Sequence, residues 1–287
     1  MTDLSAQIAA EAVAAAEGGP PVAVATLIRV PAGGLPLGAK LLVGSDGSRL
    51  GGLGRGPFEE AVVADALAAL SAVRRRSFQT LDYAASGDRV AGATRPVAKS
   101  AAFYQVMLEV VEARPVLLVV GAGHVGQAVA RLGGFAGFSV AVLDDRPEFA
   151  SRERLPEADR VLCGDLVETL RAFPIDAGTY VVVVSRGHRQ DELALREVVT
   201  SDAAYVGMIG SRRRAGAVLQ HLSEEGFSQE ALKRVKTPIG LNIGAETPEE
   251  IAVSIIAEII QARCGGTGRA MAEGQAAKTS QQRTGVR

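Results

Sequence analysis

The stretch Pro115–Ala130 constrains this chain more than any other. Val116–Val120 is an unbroken apolar run of strand length, and it ends in Gly121-Ala122-Gly123-His124-Val125-Gly126 before an Ala- and Val-rich helical pattern. A buried strand, a tight turn and a helix in that order open a Rossmann-type unit. Gly121 permits the turn, Gly123 lets a pyrophosphate approach the backbone, and Gly126 lets the helix pack on the strand. The helix that starts at His124 offers free N–H groups to an anion.

Beyond that helix, strand and helix patterns alternate, which implies a parallel sheet covered on both faces. Strands are expected at Ser139–Leu143, Val161–Cys163, Tyr180–Val184 and Tyr205–Ile209. Ligands of such sheets bind at the carboxyl ends of the strands, so the polar residues there are the site candidates. Asp144 lies 23 residues after Gly121, where an acid grips a ribose diol and favours NAD or another adenine nucleotide over NADP; Arg146 beside it softens that preference. The alternative is that Asp144 or Asp145 caps a turn. Arg186, Gly187 and His188 follow the fourth strand, with Asp191 placed to cap the next helix or to orient His188. Gly210, Ser211, Arg212 and Arg213 follow the fifth and form either an anion seat or a capped helix with solvated arginines. Gly240 and Gly244 would let the loop Thr237–Glu246 close over a ligand, and Glu246 is its unexplained acid. Thr247, Pro248 and Glu250 then start a helix with a capping box. Cys163 reads as a small buried thiol in a strand.

The 287 residues, 47% of them hydrophobic, suffice for two domains, with a boundary near Arg114-Pro115. The division expected is 1–113, 114–264 and a disordered tail at 265–287. The first part reads as a small α+β domain: a helix at Leu4–Ala16, strands at Val22–Val30 and Lys40–Gly44, a hairpin turn at Asp46-Gly47, and a helix at Glu59–Val73. Tyr104–Glu112 favours strand over helix, and Ala84–Ser100 reads as irregular. The segment Gly51–Pro57, with Arg55, is either an anion cradle or a flexible turn; Arg74-Arg75-Arg76 reads as helix-end cations. A net charge of -1 argues against nucleic acid or an anionic membrane as partner. Two distant cysteines and the lack of a long apolar run fit a protein of the reducing cytoplasm, with no metal site expected.

Four motifs together resemble the XdhC/CoxI family: Gly121–Gly126, Ser185–Arg189, Tyr205–Arg213 and Pro238–Ala252. Lys40–Glu60 is similar to the glycine-rich part of that family's smaller amino-terminal domain. The resemblance implies an α/β fold, a carboxy-terminal Rossmann-like doubly wound parallel sheet behind a smaller α+β domain. It also implies an accessory chaperone that binds molybdopterin, the molybdenum cofactor, assists its sulfuration by a cysteine desulfurase, and inserts it into a molybdenum hydroxylase apoenzyme such as xanthine dehydrogenase. A homodimer is compatible with this. The chain departs from the family in two places: Gly56-Pro57-Phe58-Glu59 has no thiol where the family has Gly-Gly-Cys-x-Glu, and no cysteine lies between Tyr83 and Tyr104. An NAD(P)-dependent oxidoreductase and a nucleotide-sensing module are the competing readings. For the first, His188 is the sole acid in view, and no paired catalytic set accompanies it.

Overall fold

The computed structural model describes residues 4–54, 56–72, 78–90 and 103–272, apart from the side chain of His188. Arg55, Arg74-Arg75-Arg76, residues 91–102 and the tail beyond 272 therefore lie outside the described residues. The chain divides into two compact units, Met1–Ala113 and Arg114–Arg287.

In the first unit, helix α1 (Leu4–Ala16) precedes strands β1 (Val22–Arg29), β2 (Lys40–Gly44) and β3 (Arg49–Gly51). Helix α2 (Pro57–Ser71), β4 (Phe78–Tyr83) and β5 (Tyr104–Val111) complete it. The sheet is antiparallel, in the order β3-β2-β1-β5-β4, so β1 is its centre. Both faces of β1 are covered, which is why its sequence is apolar without alternation. Ala23, Ala25 and Leu27 pack with Val62, Val63 and Ala66 of α2. Val22 and Val24 pack with Ile8 and Ala15 of α1. Helix α2 starts and ends two residues before the span read from sequence, because Pro57 takes its first position. Strand β4 has no counterpart among the sequence-based expectations.

The second unit is wholly parallel. It contains β6 (Val116–Val120), α3 (His124–Phe135), β7 (Ser139–Asp144), β8 (Arg160–Cys163), α4 (Leu166–Ala172), β9 (Thr179–Val183) and α5 (His188–Val198). Then follow β10 (Tyr205–Met208), α6 (Arg212–Glu224), α7 (Gln229–Arg234), β11 (Val235–Lys236) and α8 (Pro248–Cys264). The strand order β11-β10-β9-β6-β7-β8 is that of a doubly wound Rossmann sheet. The chain winds outward from β6 to β8, returns to the centre at β9, and winds out the other way. The order reverses between β6 and β9, and a crevice opens there at the strands' carboxyl ends. Leu118 and Val120 of β6 face a core with α4, α5, α6 and α7. Leu117 and Val119 face the opposite core, with α3 and α8. Burial on both faces accounts for the unbroken apolar strands. The capping box forms: the Thr247 side chain accepts the Glu250 N–H, and Glu250 accepts the Thr247 N–H at 3.0 Å.

Candidate functional site

The crevice is built by the glycine turn after β6. Gly121 has φ 113°, and a Cβ there would lie 2.6 Å from the Val184 carbonyl oxygen, so the crossing of β6 and β9 demands glycine. A Cβ on Gly126 would lie 1.8 Å from the Gly121 oxygen. Gly123 is different: a Cβ there would meet nothing within 4 Å. The protein's own packing does not require a glycine at 123, whereas a ligand pressed against the backbone would. With Gly123 as its N-cap, α3 starts without a side-chain cap, and His124 is exposed at its first position.

Asp144 ends β7 and is 4% exposed. Its carboxylate accepts the Ala122 N–H at 2.8 Å, the Arg146 N–H at 3.1 Å, and Arg146 Nε and Nη2 at 2.8 and 3.0 Å. Burial pushes the carboxyl pKa up, but the hydrogen bonds from Arg146 and Ala122 outweigh it and hold the group below the ordinary aspartate value. Four donors match the roughly four lone-pair directions of a carboxylate. Asp144 thus fastens the glycine turn to β7, and nothing remains to grip a ribose in this arrangement. Arg146 is fixed in turn, its guanidinium 3.6 Å from the Phe149 ring centroid, with Arg154 4.5 Å from the same ring.

Across the crevice, Arg186 Nη2 donates to Asp145 Oδ2 at 3.0 Å, and both side chains are close to half exposed. The space beneath, about 290 Å3 including the part open to solvent, is lined by Gly121, Leu166, Ser185 and Gln190 as well as Asp145 and Arg186. Gly187 is the N-cap of α5, and its first residue is His188, whose side chain is not described. Asp191 does not cap that helix, whose N-cap Gly187 has no side-chain bond. It is fully buried, with Ser185 Oγ donating to it at 2.5 Å and Arg214 Nη2 bonded to its other oxygen. Arg214 comes from α6, so this pair ties the ends of β9 and β10 together.

At the end of β10, Ser211 caps α6 by accepting the Arg214 N–H at 3.3 Å, with Gly210 at φ 153° before it. Arg212 and Arg213 are exposed on the first turn, while Arg214 turns inward. The segment after β11 does not hang as a lid. The Gly240 N–H donates to Glu258 at 2.8 Å, the Tyr205 hydroxyl donates to the same oxygen at 2.5 Å, and Ser254 Oγ donates to the Leu241 carbonyl at 2.6 Å. These bonds stitch the segment to α8. Glu246 is exposed, and its N–H donates to Glu250 at 2.9 Å.

Two expectations change elsewhere. Cys163 is exposed, because it ends β8 at the sheet's edge, beside Asp144 in register. In the first unit, buried Glu59 accepts the Leu53 N–H at 2.5 Å, so the glycine segment already holds a carboxylate of its own. His221 lies beside Glu192 and Glu225 in a metal-like grouping. Arg196 already neutralises both acids, bonding Glu192 at 2.8 Å and Glu225 at 2.7 and 2.5 Å. That cluster is an ion-pair network between α5 and α6.

Ser185, Gln190 and Arg214 belong to the polar runs after β9 and β10 that sequence patterning places at the crevice without singling them out as ligand contacts, and Asp145 and Arg146 are offered only as neighbours of Asp144. Their signal is position, within a few residues of a strand's carboxyl end.

Sheet order and glycine turn define a Rossmann-fold unit joined to a small α+β unit. Residues 117–259 match the XdhC Rossmann domain and residues 15–84 the XdhC and CoxI family. The chain belongs to the XdhC/CoxI family. It is 34% identical over 81% of its length to the uncharacterized protein YqeB of Escherichia coli K12, of which it covers 42%. It is 33% identical over 55% of its length to a probable xanthine dehydrogenase subunit of Bacillus subtilis 168, covering 46% of it. It is 26% identical over 51% of its length to the molybdenum cofactor insertion chaperone PaoD of E. coli K12, covering 40% of it. The chain thus spans less than half the length of each of these relatives. A crystal structure described as a xanthine dehydrogenase from Bacillus halodurans shares the fold, with a TM-score of 0.51 at 20% identity over 91% of this chain and 96% of that one.

Proposed function

We propose that this protein is an accessory chaperone of a molybdenum hydroxylase, which holds the molybdenum cofactor and assists its insertion and sulfuration. The observation that carries the reading is the kinship with a chaperone of molybdenum cofactor insertion and with one component of a xanthine dehydrogenase. The client would be the apoenzyme, a cysteine desulfurase would supply sulfur, and the setting would be the cytoplasm. Among the described residues, no helix is long and apolar enough to cross a membrane.

The residues present fit the phosphate end of a pyranopterin. Gly123 leaves the space that a Cβ would fill, α3 presents its uncapped start, and Arg186 lines the space beside Gly121. The bound group would bring the metal chemistry that the client uses. This chain's part is to hold an anion, shield it and release it. The glycine segment of the first unit carries Pro57 at the start of α2 and no thiol, so sulfur would pass through the partner's chemistry. An oxidoreductase that grips NAD through Asp144 is disfavoured, since Arg146 and Ala122 occupy that carboxylate.

The test is native mass spectrometry of protein purified without oxygen, with pterin fluorescence after oxidation. A bound pterin of molybdopterin mass is expected. A pterin-free protein that binds NAD tightly would overturn the reading.

A further inference from the structure

Helix α8 departs from the pattern of a surface helix, which is polar on its outer side. Its inner side belongs to the second unit's core: Ala252, Ile255 and Ile259 are buried against α3 and the sheet. Outward, at helical spacing, come Glu249, Val253, Ala257, Ile260 and Cys264, of which only Glu249 is charged. Val253 is 47% exposed and Ile260 37%. Helix α6, on the other face of the same sheet, exposes Arg212, Arg213, Gln220 and Glu224 instead. Beside α8, helix α3 ends in Phe135, which is 93% exposed and stands just before Phe138, the ring that Arg263 covers.

This outer line reads nearly the same in both directions, and that selects its occupant. Turned end over end about the point between Ile256 and Ala257, α8 sets Val253 opposite Ile260 of a second copy and Ala257 beside its own counterpart. The same rotation brings Glu249, in the acidic first turn, next to Arg263 in the basic last turn of the other helix. Apolar positions meet apolar ones and each acid meets a base, the self-complementarity that a two-fold contact requires. An unrelated partner would not call for that symmetry.

We propose that the outer face of α8, flanked by Phe135, is the contact of a homodimer in which two α8 helices pack antiparallel. The pairing does not depend on what the crevice holds. A helix of 17 residues is about 25 Å long, and one such face gives less than the roughly 800 Å2 per partner of stable complexes. The dimer is therefore weak, and it dissociates in the micromolar range.

Analytical ultracentrifugation of the full chain across a micromolar concentration series tests this. A monomer–dimer equilibrium is expected, and Val253→Asp should weaken it at least about tenfold by burying an unpaired charge. Val253 is exposed, so unchanged thermal unfolding serves as the folding control. Glu249→Arg and Arg263→Glu should each fail to self-associate, and an equimolar mixture of the two should dimerise, because every pair across the contact is then opposite in sign. Ala257→Cys should cross-link two copies on oxidation. The native Cys264 should not, since antiparallel packing keeps the two Cys264 Cα atoms about 20 Å apart, far beyond disulfide reach. A chain monomeric throughout the series, a dimer indifferent to Val253→Asp, folded charge variants that do not dimerise when mixed, or cross-linking through Cys264 would each overturn the proposal. If Arg263→Glu does not fold, Val253→Asp and the cross-link decide without it.

Discussion

Gly123 and Gly126 stand three residues apart in one turn and are glycines for opposite reasons. Gly126→Ala drives a Cβ to 1.8 Å from a backbone oxygen that cannot move without breaking the β6 turn, and overpacking of this kind costs about 3 kcal/mol. Gly123→Ala meets open space at φ -67°, which any residue adopts, so stability should change by less than about 0.5 kcal/mol. Chemical denaturation of the two variants separates them, and ligand binding should be lost in the stable one. The motif spells both glycines alike, so sequence places the turn but not the division of labour within it. The same holds for Asp144. Its distance from Gly121 fixes where a carboxylate stands, but not that Arg146 folds back on it, since that depends on the Phe149 ring lying against the guanidinium. Cys163 looks buried in the sequence because strand pattern reports burial only for strands inside a sheet, and β8 is an edge.

Pairs of elements carry the next level of organisation, and the α5–α6 pair is the most sensitive to pH. His221 Nδ1 of α6 donates to the Glu192 carboxylate of α5 at 3.1 Å, and that hydrogen bond raises its pKa above the ordinary histidine value of 6.5. A group whose folded pKa is raised stabilises the fold below its unfolded pKa and loses that contribution as pH climbs through the folded one. Stability should therefore fall in a small step just above pH 6.5, and His221→Ala should flatten that step in denaturation curves taken across it. Glu225 behaves oppositely: Arg196 holds its carboxyl below the usual 4.5, so its contribution is present at neutral pH and lost on acidification. Tyr205 joins α8 to β10 through Glu258, and burial with that bond pushes its hydroxyl pKa up. Tyr205→Phe should cost about 1 kcal/mol in thermal unfolding and raise hydrogen exchange at the Gly240 amide, whose acceptor is the same Glu258 oxygen. Elements buried on both faces, such as β6 and β9, are legible as continuous apolar runs. Strand β4 is not, because Phe78 is 65% exposed while Leu81 and Tyr83 are buried, an edge pattern too short to register after an arginine run.

At the scale of the whole molecule, each unit has a core of its own. The first is closed by α1 and α2 on the two faces of β1, the second by two helical layers on the two faces of β6. The site's fixed parts, from Gly121 to Arg214, all belong to the second unit. A net charge of -1 over the chain supplies no general pull on an anion, so the attraction to phosphate must come from Arg186 and the start of α3. Local attraction of that origin is screened by salt once the guanidinium is half exposed, and affinity for a phosphate-bearing pterin should fall as ionic strength rises, as titrations at two salt concentrations would show. A domain with a complete core folds without its neighbour. The fragment 114–272 should accordingly unfold in one cooperative transition by circular dichroism. A fragment that is compact but melts without cooperativity would overturn the expectation of an independent core.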